Sequence, residues 1–302
     1  MTSTSHRELA WLEQFGEPRY PREPAYREFY DHRKVSPEMQ MQNLRDYIRI
    51  APLLVPDQLD LNKPTIRHPD LSPSNIFVSG SGEITGVIDW QHTAILPLFL
   101  QAKVPKHFQN WGDEDSESFK PPKLPDDFET LSPEQQEFQE ELYRKRQVHY
   151  FYVGFTNSKN KAHFKAMSTH HLVTRNKLFD TAGRPWEGDS TSLKAALILA
   201  SKMWPDIACS QASATCPVSY SEEEIVQCLS INDKQIEADT QMKALRDFLP
   251  VNIDGWVSNE LYDSAKAKAD YMRDEGIAAA DTEEERKEIA QNWPFQDHDE
   301  ID

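Results

Sequence analysis

The sequence predicts a mainly helical protein with one small β-hairpin, an α+β chain in which helices dominate. Three observations carry this. Apolar residues beyond residue 90 recur at helical spacing in several separate stretches. A single pair of short β-type runs, Asn75-Ile76-Phe77-Val78 and Ile84-Thr85-Gly86-Val87-Ile88, flanks the turn Ser79-Gly80-Ser81-Gly82-Glu83. At 302 residues and 38% hydrophobic, the chain is long enough for one large or two small domains with a real core.

Taken in order, Ser36-Pro37-Glu38 opens a helix whose Met41, Leu44, Ile48 and Ala51 fall on one face and which ends near Pro56. The hairpin follows. Lys103 to Pro133, rich in Pro and acidic residues and containing Asp113-Glu114-Asp115-Ser116-Glu117, reads as a long surface loop. Ser132-Pro133-Glu134-Gln135 is a capping box that opens a helix carrying Phe138 and Leu142 toward Tyr150-Phe151-Tyr152. A second helical pattern covers 161–179. A third, 191–204, sets Leu193, Ala196, Leu197, Ala200 and Trp204 on one face. Ser221 caps a helix running through Phe248, and 259–292 reads as a final charged helix. No internal repeat is visible. The organisation expected is one lobe over 1–250 and a charged helical extension over 251–302, the one place where a protein partner is anticipated.

The chemistry is concentrated in 67–90. His68, Asp70 and Asn75 keep the spacing H-x-D-x-x-x-x-N, and the hairpin returns Asp89 to the neighbourhood of Asn75. In phosphoryl transfer of the kinase type, an Asp takes the proton of the attacking hydroxyl, while an Asn and a later Asp hold magnesium. Two oxygen ligands on paired strand ends and a base on the preceding loop would face one point.

The run Arg67-His68-Pro69-Asp70-Leu71-Ser72-Pro73-Ser74-Asn75-Ile76-Phe77-Val78, with Ile88-Asp89-Trp90 in place of D-F-G, resembles the aminoglycoside phosphotransferase and choline kinase superfamily, whose fold is protein-kinase-like. With Gln91-His92 and Leu96-Pro97-Leu98-Phe99-Leu100-Gln101 it is similar, more narrowly, to the fungal "altered inheritance of mitochondria" phosphotransferase-like proteins. Trp186-Glu187-Gly188-Asp189, Gly255-Trp256-Val257 and Trp293-Pro294-Phe295 fit that group without known chemistry. The resemblance implies the helical C-terminal lobe of a kinase-like fold, with catalytic loop 67–78 and metal-binding hairpin 75–90. It further implies ATP and Mg²⁺ as cofactors, a small-molecule hydroxyl as acceptor, Asp70 as base, Asn75 and Asp89 as metal ligands, His68 as structural support of the loop, and a mitochondrial location.

Such kinases also use a Gly-rich loop and a strand Lys from an N-terminal lobe. Only Gly16 precedes Gly80, and neither Lys34 nor Lys63 lies in strand-like surroundings, so that lobe is expected to be absent from this chain. Segment 7–30, with Trp11, Phe15 and Pro21-Arg22-Glu23-Pro24, resembles the descent into the helical lobe. Without the phosphate cover, weak or no turnover is expected. A truncated gene product, a short form and a pseudokinase serving as an interaction platform are all compatible with the letters. A third reading, a metal-dependent phosphohydrolase, would gather His68, Asp70, Asp89 and His92 around an ion. His163, His170 and His171 lack metal spacing. Trp111, Trp186 and Trp256 are candidates either for the core or for a cage around a quaternary ammonium.

A formal charge of −17 argues against nucleic-acid and anionic-membrane partners. The apolar run around 94–100 falls far short of the ~20 residues of a membrane span. The N-terminus has no apolar signal region, and Glu8, Glu13 and Glu17 are foreign to a mitochondrial presequence, which leaves the cytoplasm as the alternative location. Cys209, Cys216 and Cys228 lack paired spacing and read as reduced thiols.

Overall fold

The computed structural model describes residues 2–169, 171–210, 212–249 and 257–295. The chain is mainly helical, as expected, and among the described residues it has two small two-stranded sheets where one hairpin was expected. Helices α1 (Ser3–Phe15) and α2 (Glu38–Ile50) precede strands β1 (Pro64–Ile66), β2 (Ile76–Val78), β3 (Ile84–Val87) and β4 (Ile95–Pro97). Short helices α3 (Leu98–Gln101) and α4 (Glu114–Glu117) lead to α5 (Pro133–Lys159), α6 (Lys161–Met167) and α7 (Leu172–Ala182). The chain continues through α8 (Thr191–Lys202), α9 (Trp204–Ile207), α10 (Glu222–Phe248), α11 (Tyr262–Ala279) and α12 (Glu283–Asn292). Among the described residues no helix is long and apolar enough to cross a membrane.

Two compact units divide the chain: Met1–Pro52 with Asp180–Met203 and Thr215–Asp302, and Leu53–Phe179 with Trp204–Ala214. The boundary expected at residue 250 falls outside the described residues.

In the first unit α8 is the central element. Its Leu193, Ala196, Leu197 and Ala200 are buried at the predicted spacing, and it packs on α2 and α10. Helix α2 buries Gln40, Asn43, Leu44, Tyr47 and Ile50, while Met41 and Ile48 are only half-buried, so its inner face is turned about one residue from the stripe predicted. The reason is polar: Asn43 Nδ2 donates to Ser190 O at 3.0 Å, and Asp46 accepts from the Tyr220 hydroxyl at 3.3 Å. An apolar count cannot see buried side chains whose hydrogen bonds are satisfied. Ser221 and Glu224 cap α10 reciprocally, as read from the sequence. The single helix expected over 259–292 is instead α11 and α12, because Thr282 and Glu285 form a second capping box that starts a new helix.

In the second unit the predicted hairpin pairs Ile76 with Val87 and Phe77 with Gly86, with a bulge at Phe77/Val78. The unpredicted sheet β1–β4 pairs Thr65 with Leu96 across three-residue strands too short to leave a pattern. Ser132 and Gln135 cap α5 as expected. The loop at 103–133 is less free than its composition suggests: Arg146 on α5 forks onto Asp113 at 2.6 and 2.9 Å and reaches Asp115 at 2.9 Å. That pairing holds the Asp113 carboxyl below its usual range. The pattern over 161–179 is broken into α6 and α7, with His171 in left-handed backbone at φ 57°. The helix expected to reach Trp204 stops at Lys202, since Pro205 has no N–H to continue the ladder, and Trp204 begins α9 instead.

His163 on α6 is buried and its imidazole is pushed down to about 4 by burial, with the Arg67 charge adding to it. The unfolded chain takes up this proton near pH 6.5 and the folded chain does not, so this contribution to stability is present above that pH and is lost as pH falls toward about 4. Urea midpoints should therefore drop between pH 7 and pH 5, and His163→Gln should flatten the drop.

Candidate functional site

The loop before β2 is tied down at its base by Arg67. Its guanidinium donates to the carbonyl of Gln101, to that of Lys103 at 2.6 Å and to the Tyr152 hydroxyl at 2.6 Å. Next to it His68 closes the loop onto the hairpin. Its Nε2–H donates to Ile88 O at 2.7 Å, its Nδ1 accepts the backbone N–H of Asp70 at 3.2 Å, and its ring stands edge-on to Trp90 at 4.8 Å. Both nitrogens are thus engaged with backbone, which fixes the tautomer and leaves no lone pair for a proton in transit.

Asn75 completes the closure from the other side. Its side-chain Nδ2–H donates to Asp70 O at 2.9 Å, and its backbone carbonyl accepts the Ile88 N–H at 3.0 Å, one step beyond the Ile76–Val87 pair. Asp89 therefore follows immediately on the residue paired with Asn75. It lies in left-handed backbone at φ 63°, a conformation that Asp tolerates better than most residues and that turns the chain sharply out of β3. Backbone strain of this kind concentrates at functional sites.

Asn75 and Asp89 carry the kind of oxygen atoms that a divalent cation would need. With its side-chain N–H bound to the loop, Asn75 has its Oδ1 left as a donor atom, and among the described residues no side chain or backbone group bonds to the Asp89 carboxylate. Two such oxygens suit a hard ion that retains part of its water shell, which is how Mg²⁺ is usually held. The Asp70 side chain is 59% exposed on the same loop. His107 Nε2 stands 3.6 Å from Asp70 Oδ1, a neighbour that the sequence did not disclose because it lies in the stretch read only as surface loop.

Other groupings are not formed. Among the described residues no three His, Cys, Asp or Glu side chains are gathered as a metal site, so His68, Asp70, Asp89 and His92 do not make the cluster that a phosphohydrolase reading requires. Trp186 is 3% exposed with the Arg19 guanidinium 5.2 Å above its ring, and Trp111 stands edge-on to His149 at 4.8 Å. Trp256, Gly255 and His170 lie outside the described residues. The three cysteines are free, with Cys228 buried.

Comparison with known proteins agrees with the resemblance carried by 67–90. Residues 3–99 match the phosphotransferase enzyme family, a span that contains His68, Asp70, Asn75 and Asp89. A subtelomeric hrmA-associated cluster protein of Aspergillus fumigatus is 29% identical over 303 residues, covering 99% of this chain and 57% of the relative. The mitochondrial "altered inheritance of mitochondria protein 9" of Kluyveromyces lactis is 23% identical over 60% of this chain and 29% of its own length. Its counterpart from Vanderwaltozyma polyspora is 22% identical over 62% and 30%. The chain thus spans little more than half the length of the A. fumigatus relative and about a third of the other two. No solved structure matches.

Proposed function

We propose that this chain bears the catalytic loop of an ATP- and Mg²⁺-dependent phosphotransferase acting on a small-molecule hydroxyl. The observation that supports it best is the double closure at Asn75, whose side chain holds Asp70 O while its backbone holds Ile88 N, so that base and both cation ligands belong to one hydrogen-bonded knot. Asn75 and Asp89 would hold Mg²⁺, which supplies charge neutralisation of the phosphates. Asp70 accepts the proton of the acceptor hydroxyl, and His68 keeps the loop in place. The mitochondrial labels of two relatives support a mitochondrial location.

A second reading, a noncatalytic kinase-like platform, is favoured by one specific observation. Among the described residues no Lys or Arg forms an ion pair with Asp70 or Asp89, so neither carboxylate is tied to a Lys or Arg side chain that could also take a phosphate. Thermal unfolding separates the two. MgATP at a hundredfold excess over Kd should stabilise the fold by about 2.7 kcal/mol, a shift of a few degrees in Tm. Asp89→Ala should remove that shift, and it should also lower the Tm of the free protein slightly because Ala tolerates the left-handed backbone at 89 less well than Asp. An unchanged Tm of the unmodified chain at millimolar MgATP would favour the platform.

A further inference from the structure

The motif Trp186-Glu187-Gly188-Asp189 takes no part in the catalytic loop, yet it is held by several hydrogen bonds within the first unit. Arg22 N–H donates to Glu187 O at 3.0 Å, and the Asp189 carboxylate accepts from the Tyr30 hydroxyl at 2.5 Å, Gln235 Nε2 at 2.9 Å and the Thr191 N–H at 3.1 Å. This segment walls one side of a pocket of about 310 Å³, within the range that holds a small molecule.

The walls hold two buried orphan groups and present charges of both signs. Gln40 and Trp186 both line the pocket and are each 3% exposed, and neither Gln40 Oε1 nor Trp186 Nε1 has a partner among the described residues. Buried orphans of this kind are rare and call for an explanation, such as a bound molecule. Arg184, on the same wall, makes no ion pair or hydrogen bond among the described residues. Facing the same space, the Asp239 carboxylate accepts from the Tyr26 hydroxyl at 2.8 Å, and among the described residues neither Asp239 nor Glu23 has an ion-pair partner. Their negative field is visible on Tyr26, whose hydroxyl is pushed far above the ordinary phenol value by burial and by Asp239, Asp189 and Glu23.

We infer that this pocket binds a small zwitterion bearing an ammonium and a carboxylate on one short skeleton, a free amino acid or a close relative. The ammonium meets Asp239 and Glu23, and the carboxylate meets Arg184. A ligand of one sign would leave one wall uncompensated. The inference does not depend on the chemistry at Asp70 and Asp89, which belong to the other unit.

The test is a melting screen of the whole chain against each of the standard amino acids at millimolar concentration, with the N-acetyl and carboxamide forms of any responder as controls. At least one amino acid should raise the Tm, and its two blocked forms should not. Arg184→Gln and Asp239→Asn, both exposed positions, should each weaken that amino acid about tenfold or more, the scale of one charge-assisted contact. Asp89→Ala should leave the response intact, so this result and the MgATP result can fail separately. A panel with no responder, which would leave the pocket to water, overturns the inference. So does a response that survives in both variants or in the blocked forms.

Discussion

Asp70→Asn should reduce ATP-dependent phosphoryl transfer by roughly 10²–10⁴-fold, the range for loss of a positioned general base, while MgATP binds nearly as before. The asymmetry follows from how the loop is built. Asn75 holds the backbone carbonyl of Asp70, not its carboxylate, and His68 Nδ1 accepts its backbone N–H, so both bonds survive replacement of the side chain. The knot that sets the two proposed cation ligands stays tied. ADP formation with candidate acceptor alcohols, alongside nucleotide calorimetry, checks both halves. Equal losses in turnover and affinity would mean that Asp70 shapes the loop instead of taking the proton.

Gly188→Ala should destabilise the first unit by about 3 kcal/mol or more, because two independent costs coincide. Gly188 sits at φ +84°, where a side chain is strained by about 1–3 kcal/mol. A Cβ there would also lie 2.3 Å from Tyr20 O and 2.7 Å from Tyr20 C, backbone atoms that cannot rotate away. The clash adds the cost of overpacking, commonly 1–3 kcal/mol. Urea unfolding compared with Gly80→Ala, where an added methyl meets nothing within 4 Å, isolates the effect. A loss no larger than in that control would show that the turn at 188 relaxes freely.

Much of the fold was legible because its signals are local. The capping boxes at Ser132 and Ser221 and the apolar stripe of α8 each lie within one turn or one face of a helix, and they appear where the letters put them. The hairpin was readable for the same reason, since both strands and their turn fit within 75–88. What failed was what depends on distant partners or on competing signals. The β1–β4 sheet joins strands about 30 residues apart, and α2 turns its face toward Ser190 and Tyr220, far along the chain. The break before α12 was in the letters as Thr282-Glu283-Glu284-Glu285, but a run of charge masked the cap. At the site, the H-x-D-x-x-x-x-N spacing named the residues, whereas His107 beside Asp70 and the pocket behind Trp186 arise only when distant segments meet.

In the proposed function Asn75 and Asp89 share one divalent ion. Mn²⁺, whose free form is counted directly by electron paramagnetic resonance, can be titrated in the presence of ATP into the unmodified chain, Asn75→Ala, Asp89→Ala and the double variant. The expected result is one tight site that either single substitution weakens severely, with the double variant scarcely worse than the singles, as for two ligands of the same ion. Mn²⁺ affinity unchanged by both single substitutions, or losses that simply add, would contradict it.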